Sequence, residues 1–217
     1  MVIDFLINEP ERPLGANLIL AHGAGALMDS AFMNTIAEGA AESGVRVWRF
    51  EFPYMCERRD VGKKRPPNTQ KVLLETWRKA FSQVVELQNN RADVGKESIF
   101  IGGKSMGGRM ASLLADELKA KGLVCLGYPF HALGKPDKPR TEHLADITTP
   151  TLILQGARDP MGNQERVCEY TLSKMIDVVW VPDGDHDLKP RVKSGVTHKE
   201  NMQLANQRIV DFICTSL

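Results

Sequence analysis

"SIFIGGKSMGGRMAS", residues 98–112, is the stretch whose reading decides the fold. An apolar run, Ile99-Phe100-Ile101, breaks into glycines around a single serine, and an amphipathic pattern follows. A short apolar run bounded by glycine reads as a buried strand, and the pattern beyond it as a helix. Gly103-Lys104-Ser105-Met106-Gly107 therefore fits G-x-S-x-G in a strand-turn-helix setting. In that setting the serine is held in a strained conformation that lifts its hydroxyl above the sheet, and its small neighbours let strand and helix pack closely. The bland alternative is a glycine-rich turn whose serine only caps the helix.

A serine hydroxyl is a weak nucleophile at neutral pH, so the first reading demands a histidine base and a carboxylate to orient it. After the apolar run "TLILQG" (151–156) comes "ARDP", which places Asp159 beyond a strand end; after "DVVWVP" (177–182) comes "DGDHD", which does the same for His186. Asp159 before Pro160 could simply open a turn, and His186 could be an exposed loop residue. Together, in the order Ser, Asp, His that this arrangement uses, they become candidates for acid and base. Asp183, Asp185 and Asp187 are too close in sequence to His186 to reach the far side of its ring easily. Upstream, "LILAHGAGA" (18–26) runs a strand into small residues whose backbone N–H groups can face a substrate oxygen. Ala24 and Met106 are the candidate oxyanion donors. A dinucleotide fingerprint would need a third glycine that is missing here. His22 reads as a structural loop residue.

Working outward, strand candidates also occur at 2–7, 16–22, 45–52 and 123–128, and helical spacing links Leu73, Trp77, Ala80, Val84 and Leu87, then Met202, Ala205, Ile209 and Ile213. Strands alternating with helices predict an α/β fold: one domain over 1–217, with a mostly parallel sheet of about seven strands and helices on both faces. Two longer connections, 53–69 and 129–150, follow strands and so fall at the carboxyl edge of the sheet, where ligands bind in open α/β sheets. A net charge of +1 over 217 residues gives no global argument for a nucleic-acid or membrane partner. The four scattered cysteines form no metal or dithiol spacing and read as mostly buried thiols. No organic cofactor or metal is called for. The acidic N-terminal stretch lacks the basic region of a signal peptide, which predicts a cytoplasmic protein.

From "LILAHGAGA" through "GGKSMGGR" and "LQGARDP" to "GDHD", the chain resembles the α/β-hydrolase superfamily. It is most similar to the small lidless branch grouped with dienelactone-hydrolase-like proteins, to which a testis-expressed protein and a subunit of a chromatin acetyltransferase complex are related. The resemblance implies Ser105 as nucleophile, Asp159 as acid and His186 as base. Dienelactone hydrolases carry a cysteine, and haloalkane dehalogenases an aspartate, where this chain has serine. Family members with a cap insert it between the strands that correspond to 123–128 and 151–156; residues 129–150 are too few for one.

The expectation is a serine hydrolase cleaving a small ester or thioester, with an open, shallow acyl pocket. The alternative is an interaction protein that keeps the fold while its chemistry is vestigial. Gly25, Lys104, Arg58, Arg59, His131 and Arg158 are candidates for substrate contact. With Lys63, Lys64, Arg65, Lys135, Lys138, Arg140, Lys189 and Arg191, the cations among them predict a basic rim that attracts anionic substrates; ordinary solvated loop charge is the competing account.

Overall fold

A computed structural model of the chain describes residues 2–90 and 97–217. In chain order the elements are β1 (Leu6–Asn8), β2 (Ala16–Ala21), α1 (Ala31–Glu42), β3 (Val45–Phe50), α2 (Pro53–Val61), α3 (Gln70–Asn89), β4 (Ser98–Lys104), α4 (Met106–Ser112), β5 (Gly122–Leu126), β6 (His131–Ala132), β7 (Lys135–Pro139), β8 (Thr151–Gly156), α5 (Gln164–Val167), β9 (Ile176–Val181) and α6 (His198–Ser216). Seven strands form one sheet in the order β1-β3-β2-β4-β5-β8-β9, and only β1 runs antiparallel to its neighbour.

Alternation along the strands divides the core in two. On one face Ile19, Ala21, Trp48, Phe50 and Ile101 meet Leu73, Trp77, Ala80 and Val84 of α3. On the other, Leu18, Leu20, Val45, Val47 and Phe100 meet Met33, Ile36 and Ala40 of α1 and Met202, Ala205, Ile209 and Ile213 of α6. Strands buried on both faces read as continuous apolar runs, which is why they stood out. The helical spacing of α3 carries one residue too far: the buried face ends at Val84, and Leu87 is exposed.

Three differences from the sequence reading are instructive. The connection 53–69 begins with a helix, α2, whose Pro53 fits a first helical position and whose Gly62 ends it in the left-handed conformation. Its polar composition hid it. Residues 129–150 hold the β6–β7 hairpin and one turn of 3-10 helix at Glu142–Leu144, and no helical cap. The cysteines are a correction: Cys125 is buried, but Cys56, Cys168 and Cys214 are exposed.

The strand order places the site. From β2 the chain steps to β3 on one side, then crosses back over β2 to reach β4 on the other. Order reverses between β2 and β4, and the loops leaving their carboxyl ends diverge to leave a crevice. His22–Gly25 leaves β2 there, and Ser105 leaves β4.

Candidate active site

Ser105 lies between β4 and α4 with φ 49° and ψ −114°, a conformation that a non-glycine residue adopts only where its surroundings impose it. Its N–H donates to the Leu126 carbonyl at 2.9 Å, anchoring the turn to β5. Gly103 and Gly107 are there for close approach: a Cβ on either would collide with the carbonyl of Ala21. Strand β2, the turn and α4 therefore meet backbone to backbone, and the Ser105 side chain has only the space above the sheet.

That space contains His186. Its Nε2 lies 2.8 Å from Ser105 Oγ and its Nδ1 2.7 Å from Asp159 Oδ2. An ionised carboxylate only accepts, so Nδ1 carries the proton and Nε2 is free to accept from the serine hydroxyl. Asp159 is 0% exposed, and protein donors must satisfy its charge. The Met161 N–H donates to Oδ1 at 2.8 Å, and Gln155 Nε2 joins His186 at Oδ2 from 2.9 Å. Gln155, itself 0% exposed, also bonds the Tyr128 amide and carbonyl and the Gly162 carbonyl, tying β8 to the acid's loop. Sequence reasoning passed over Gln155. Its signal was a polar residue inside the apolar run "TLILQG".

The histidine's own loop contributes support of another kind. Asp183 pairs with Arg158 and Arg191, which hold its carboxyl well below the usual range. Asp185 accepts from the amides of Asp187 and Lys189. Asp187 pairs with Lys104 at 3.1 Å. All three nearby acids are occupied elsewhere. Lys104 is buried, and its Nζ donates to the His186 carbonyl at 2.7 Å; burial lowers its pKa, with Asp187 pulling the other way. It grips the histidine's backbone and does not line the cleft beside Ser105.

On the other side of Ser105, His22 has both ring nitrogens engaged. Its Nε2 accepts from the Phe52 N–H at 3.1 Å, so Nδ1 carries the proton and donates to the Gly23 carbonyl at 2.6 Å. Burial lowers its pKa, keeping it neutral. Tyr54 donates to the Ala24 carbonyl and Arg58 to the Gly25 carbonyl, both at 3.0 Å. Among the described residues the Ala24 N–H meets no backbone acceptor, and Ala24 and Met106 both line the cleft beside Ser105. Arg59 bridges Glu51 and Asp29, which hold its pKa above the usual range.

A cleft of about 340 Å³ opens at Ser105, lined among others by Ala24, Met106, Arg109, Pro129 and Arg140. Of the basic residues considered for substrate contact, Lys104, Arg58, Arg59 and Arg158 lie outside it, and His131 is buried in the β6–β7 hairpin with its ring against the Ala132 carbonyl. Gly25 meets Arg58 and also lies outside the lining. Arg109 does line the cleft; the sequence reading gave it no role, although it stands four residues beyond Ser105 on the same helical face.

Among the described residues, no helix is long and apolar enough to cross a membrane, and no His, Cys, Asp or Glu group could hold a metal ion. Residues 15–214 match the family described as "Alpha/beta hydrolase domain". An α/β serine hydrolase homologue from Coxiella burnetii superposes with a TM-score of 0.70 at 19% identity, over 95% of this chain and 91% of that one. A lidless α/β serine hydrolase from Xanthomonas campestris gives 0.68 at 19% identity, over 95% and 89%. Dienelactone hydrolase from Anabaena variabilis gives 0.67 at 18%, over 94% and 95%. With the sheet reversal, the strained serine turn and a match over nearly its whole length, the chain belongs to the α/β-hydrolase domain family, as a small member without a cap.

Proposed function

We propose that the protein is a serine hydrolase that cleaves a small carboxylic ester or thioester through an acyl-enzyme. The observation that carries this reading is the hydrogen-bonded series Ser105 Oγ, His186 Nε2, His186 Nδ1 and Asp159 Oδ2, at 2.8 and 2.7 Å. Ser105 Oγ attacks the substrate carbonyl carbon while His186 takes its proton. Asp159 holds the imidazole in the accepting tautomer and stabilises the imidazolium. The amides of Ala24 and Met106 face the oxygen on which charge develops. His186 then returns the proton to the departing alcohol or thiol, and water, activated by the same ring, releases the acid.

The partner is a small molecule. The cleft of about 340 Å³ is near the lower end of ligand pockets and has no cap above it, so short acyl chains fit and long ones project into water. Hydrolysis of 4-nitrophenyl esters from C2 to C16 should peak at short chains without a jump at micelle formation; a preference for C12 or longer would contradict it. The decisive test is a fluorophosphonate probe, which labels only an activated serine. Labelling of wild type and none of Ser105→Ala is expected. An unlabelled, folded wild type would leave the fold as an interaction scaffold.

A further inference from the structure

Most arginines that lie wholly or partly inside this protein have partners. Arg46 meets Glu9 and Glu97, Arg49 meets Asn34, Asn8 and the Met28 carbonyl, Arg59 meets Glu51 and Asp29, and Arg158 meets Asp183. Arg109 does not. Its Nε is buried without a hydrogen-bond partner, as is that of Arg49; but where the terminal nitrogens of Arg49 are bonded, no carboxylate or carbonyl among the described residues meets the Arg109 guanidinium. Among the described residues Arg140 also meets no acid; its backbone is engaged, its carbonyl accepting from Tyr128 and its N–H donating to the Phe130 carbonyl.

These two cations line the same cleft as Ser105, and among the described residues no Asp or Glu lines it with them. Burial lowers the pKa of Arg109; Tyr128, when ionised, works against this, and the neighbouring Arg140 adds to it. The titratable side chains beside them do not compensate. His143 is pushed down to about 4 by burial and by Arg109, and burial holds the Tyr128 hydroxyl protonated. Both groups are neutral at pH 7. An unpaired, partly buried cation is expensive, and two facing one cavity more so. A guanidinium fork matches the planar or tetrahedral oxygens of an oxyanion, with charge-assisted bonds about twice as strong as neutral ones.

We propose that the cleft takes an ester bearing an anionic group, a carboxylate or a phosphate, held by Arg109 and Arg140 while the ester carbonyl lies at Ser105. The inference rests on the hydrolase reading and adds the substrate class. Because Arg109 stands four residues beyond Ser105, about 6 Å along the helix axis, and both line one cleft, the anion and the carbonyl are separated by a short chain of a few carbons. The anionic group takes no part in the covalent step. The bond from Ser105 Oγ to the carbonyl carbon forms, the bond to the leaving oxygen breaks, and the proton passes through His186 to that oxygen.

The test compares esters matched in size and reactivity: 4-nitrophenyl hexanoate, mono-4-nitrophenyl adipate and 4-nitrophenyl 5-phosphonopentanoate for charge on the acyl side. Acetates of 4-hydroxybenzamide, 4-hydroxybenzoate and 4-hydroxyphenylphosphonate place it on the leaving side. Spontaneous hydrolysis is subtracted throughout. Wild type should favour an anionic member of at least one set by about 10-fold or more in kcat/KM, the worth of a charge-assisted bond. The carboxylate and phosphonate arms identify which oxyanion fits. Arg140→Gln and Arg109→Gln should each drive that anionic-to-neutral ratio towards one, read as a ratio so that general loss of activity does not enter it. Arg140 is the safer variant, because the Arg109 side chain is half-buried with its Nε enclosed, and its replacement risks the fold. No preference in either set, or a preference that persists in a folded Arg140→Gln and Arg109→Gln double variant, overturns the proposal. Absence of fluorophosphonate labelling would instead remove the hydrolase reading beneath it.

Discussion

Two neighbouring regions of the carboxyl edge of the sheet treat their polar groups in opposite ways. Around His186 the charged groups are matched: Asp159 has Met161, Gln155 and the imidazole, Lys104 has the His186 carbonyl and Asp187, and Asp183 has two arginines. Across Ser105, Ala24, Met106 and Arg109 line the cleft, and among the described residues no carboxylate or carbonyl meets the Arg109 guanidinium. A matched network fixes geometry, because moving any member strands a buried polar group. An unmatched one is complementary to something the protein does not itself supply. The difference separates the machinery that is held from the surface that receives.

If the matched side performs the chemistry, damage there should be graded by distance from the reacting atoms. Ser105→Ala should lower kcat on 4-nitrophenyl acetate by about 10⁶-fold, and His186→Ala by about as much, since members of such a unit are not additive. A purified, folded Ser105→Ala with more than a few per cent of wild-type activity would sink the assignment. Asp159→Asn should cost up to about 10⁴-fold by reversing the tautomer preference. A larger loss from replacing Asp183, Asp185 or Asp187 would move the acid into the histidine's own loop.

Lys104 acts through the histidine's backbone, so it is a positioning residue. Lys104→Met keeps the buried stem but removes the donor to the His186 carbonyl. The expected loss is about 10-fold in kcat with KM nearly unchanged, since the imidazole is misplaced while the cleft is intact. A change in KM alone would place the ammonium in substrate binding instead. On the receiving side, the outer rim should matter less than the cleft. Arg59, Lys104, Arg158 and Arg191 are already neutralised by acids, so Lys63→Glu with Lys64→Glu should change kcat/KM for anionic esters by about 3-fold or less. A larger, salt-sensitive drop would restore long-range attraction by the loops as the dominant effect.

The parts legible in the sequence were those that depend on backbone geometry. Gly103 and Gly107 around Ser105 announce a turn that larger residues could not make, and β2, β5 and β8, buried along their length, together with the edge strand β9, appear as largely apolar runs. Asp159 and His186 could be nominated because each follows such a run directly, and the structure brings both to Ser105. The illegible parts depend on partners distant in sequence. Gln155 looked like one polar residue in a strand until the fold brought Tyr128 and Asp159 around it. The basic rim looked uniform because sequence lists cations without their acids; folding matched Arg59 to Asp29, 30 residues away, and left Arg109 and Arg140 unmatched. Helix α2 was hidden by its surface: only Tyr54 and Met55 are buried, too few to leave a periodic apolar trace.

The smallest predicted effect tests the boundary between the two regions, at His143. Ser112 Oγ lies 2.8 Å from both the Arg109 carbonyl and His143 Nε2. One hydroxyl proton cannot serve both, so it goes to the carbonyl, which only accepts, and Nε2–H of a neutral imidazole donates to the hydroxyl oxygen. Burial, then Arg109, lowers the histidine's pKa from 6.5 to about 4. In the unfolded chain the ring protonates near 6.5, so between that pH and about 4 the unfolded state binds the extra proton. The neutral histidine's contribution is therefore fully present above 6.5, is lost as pH falls through this window, and changes no further below about 4. Since the ring is partly exposed, solvent reduces the effect, and a loss of about 1 kcal/mol is expected. The check is the difference in urea midpoint between wild type and His143→Gln at pH 7.5 and at pH 4.5: wild type should lose more stability on acidification than the variant. Equal losses would mean that burial and the Arg109 cation together do not hold the ring neutral in the folded state.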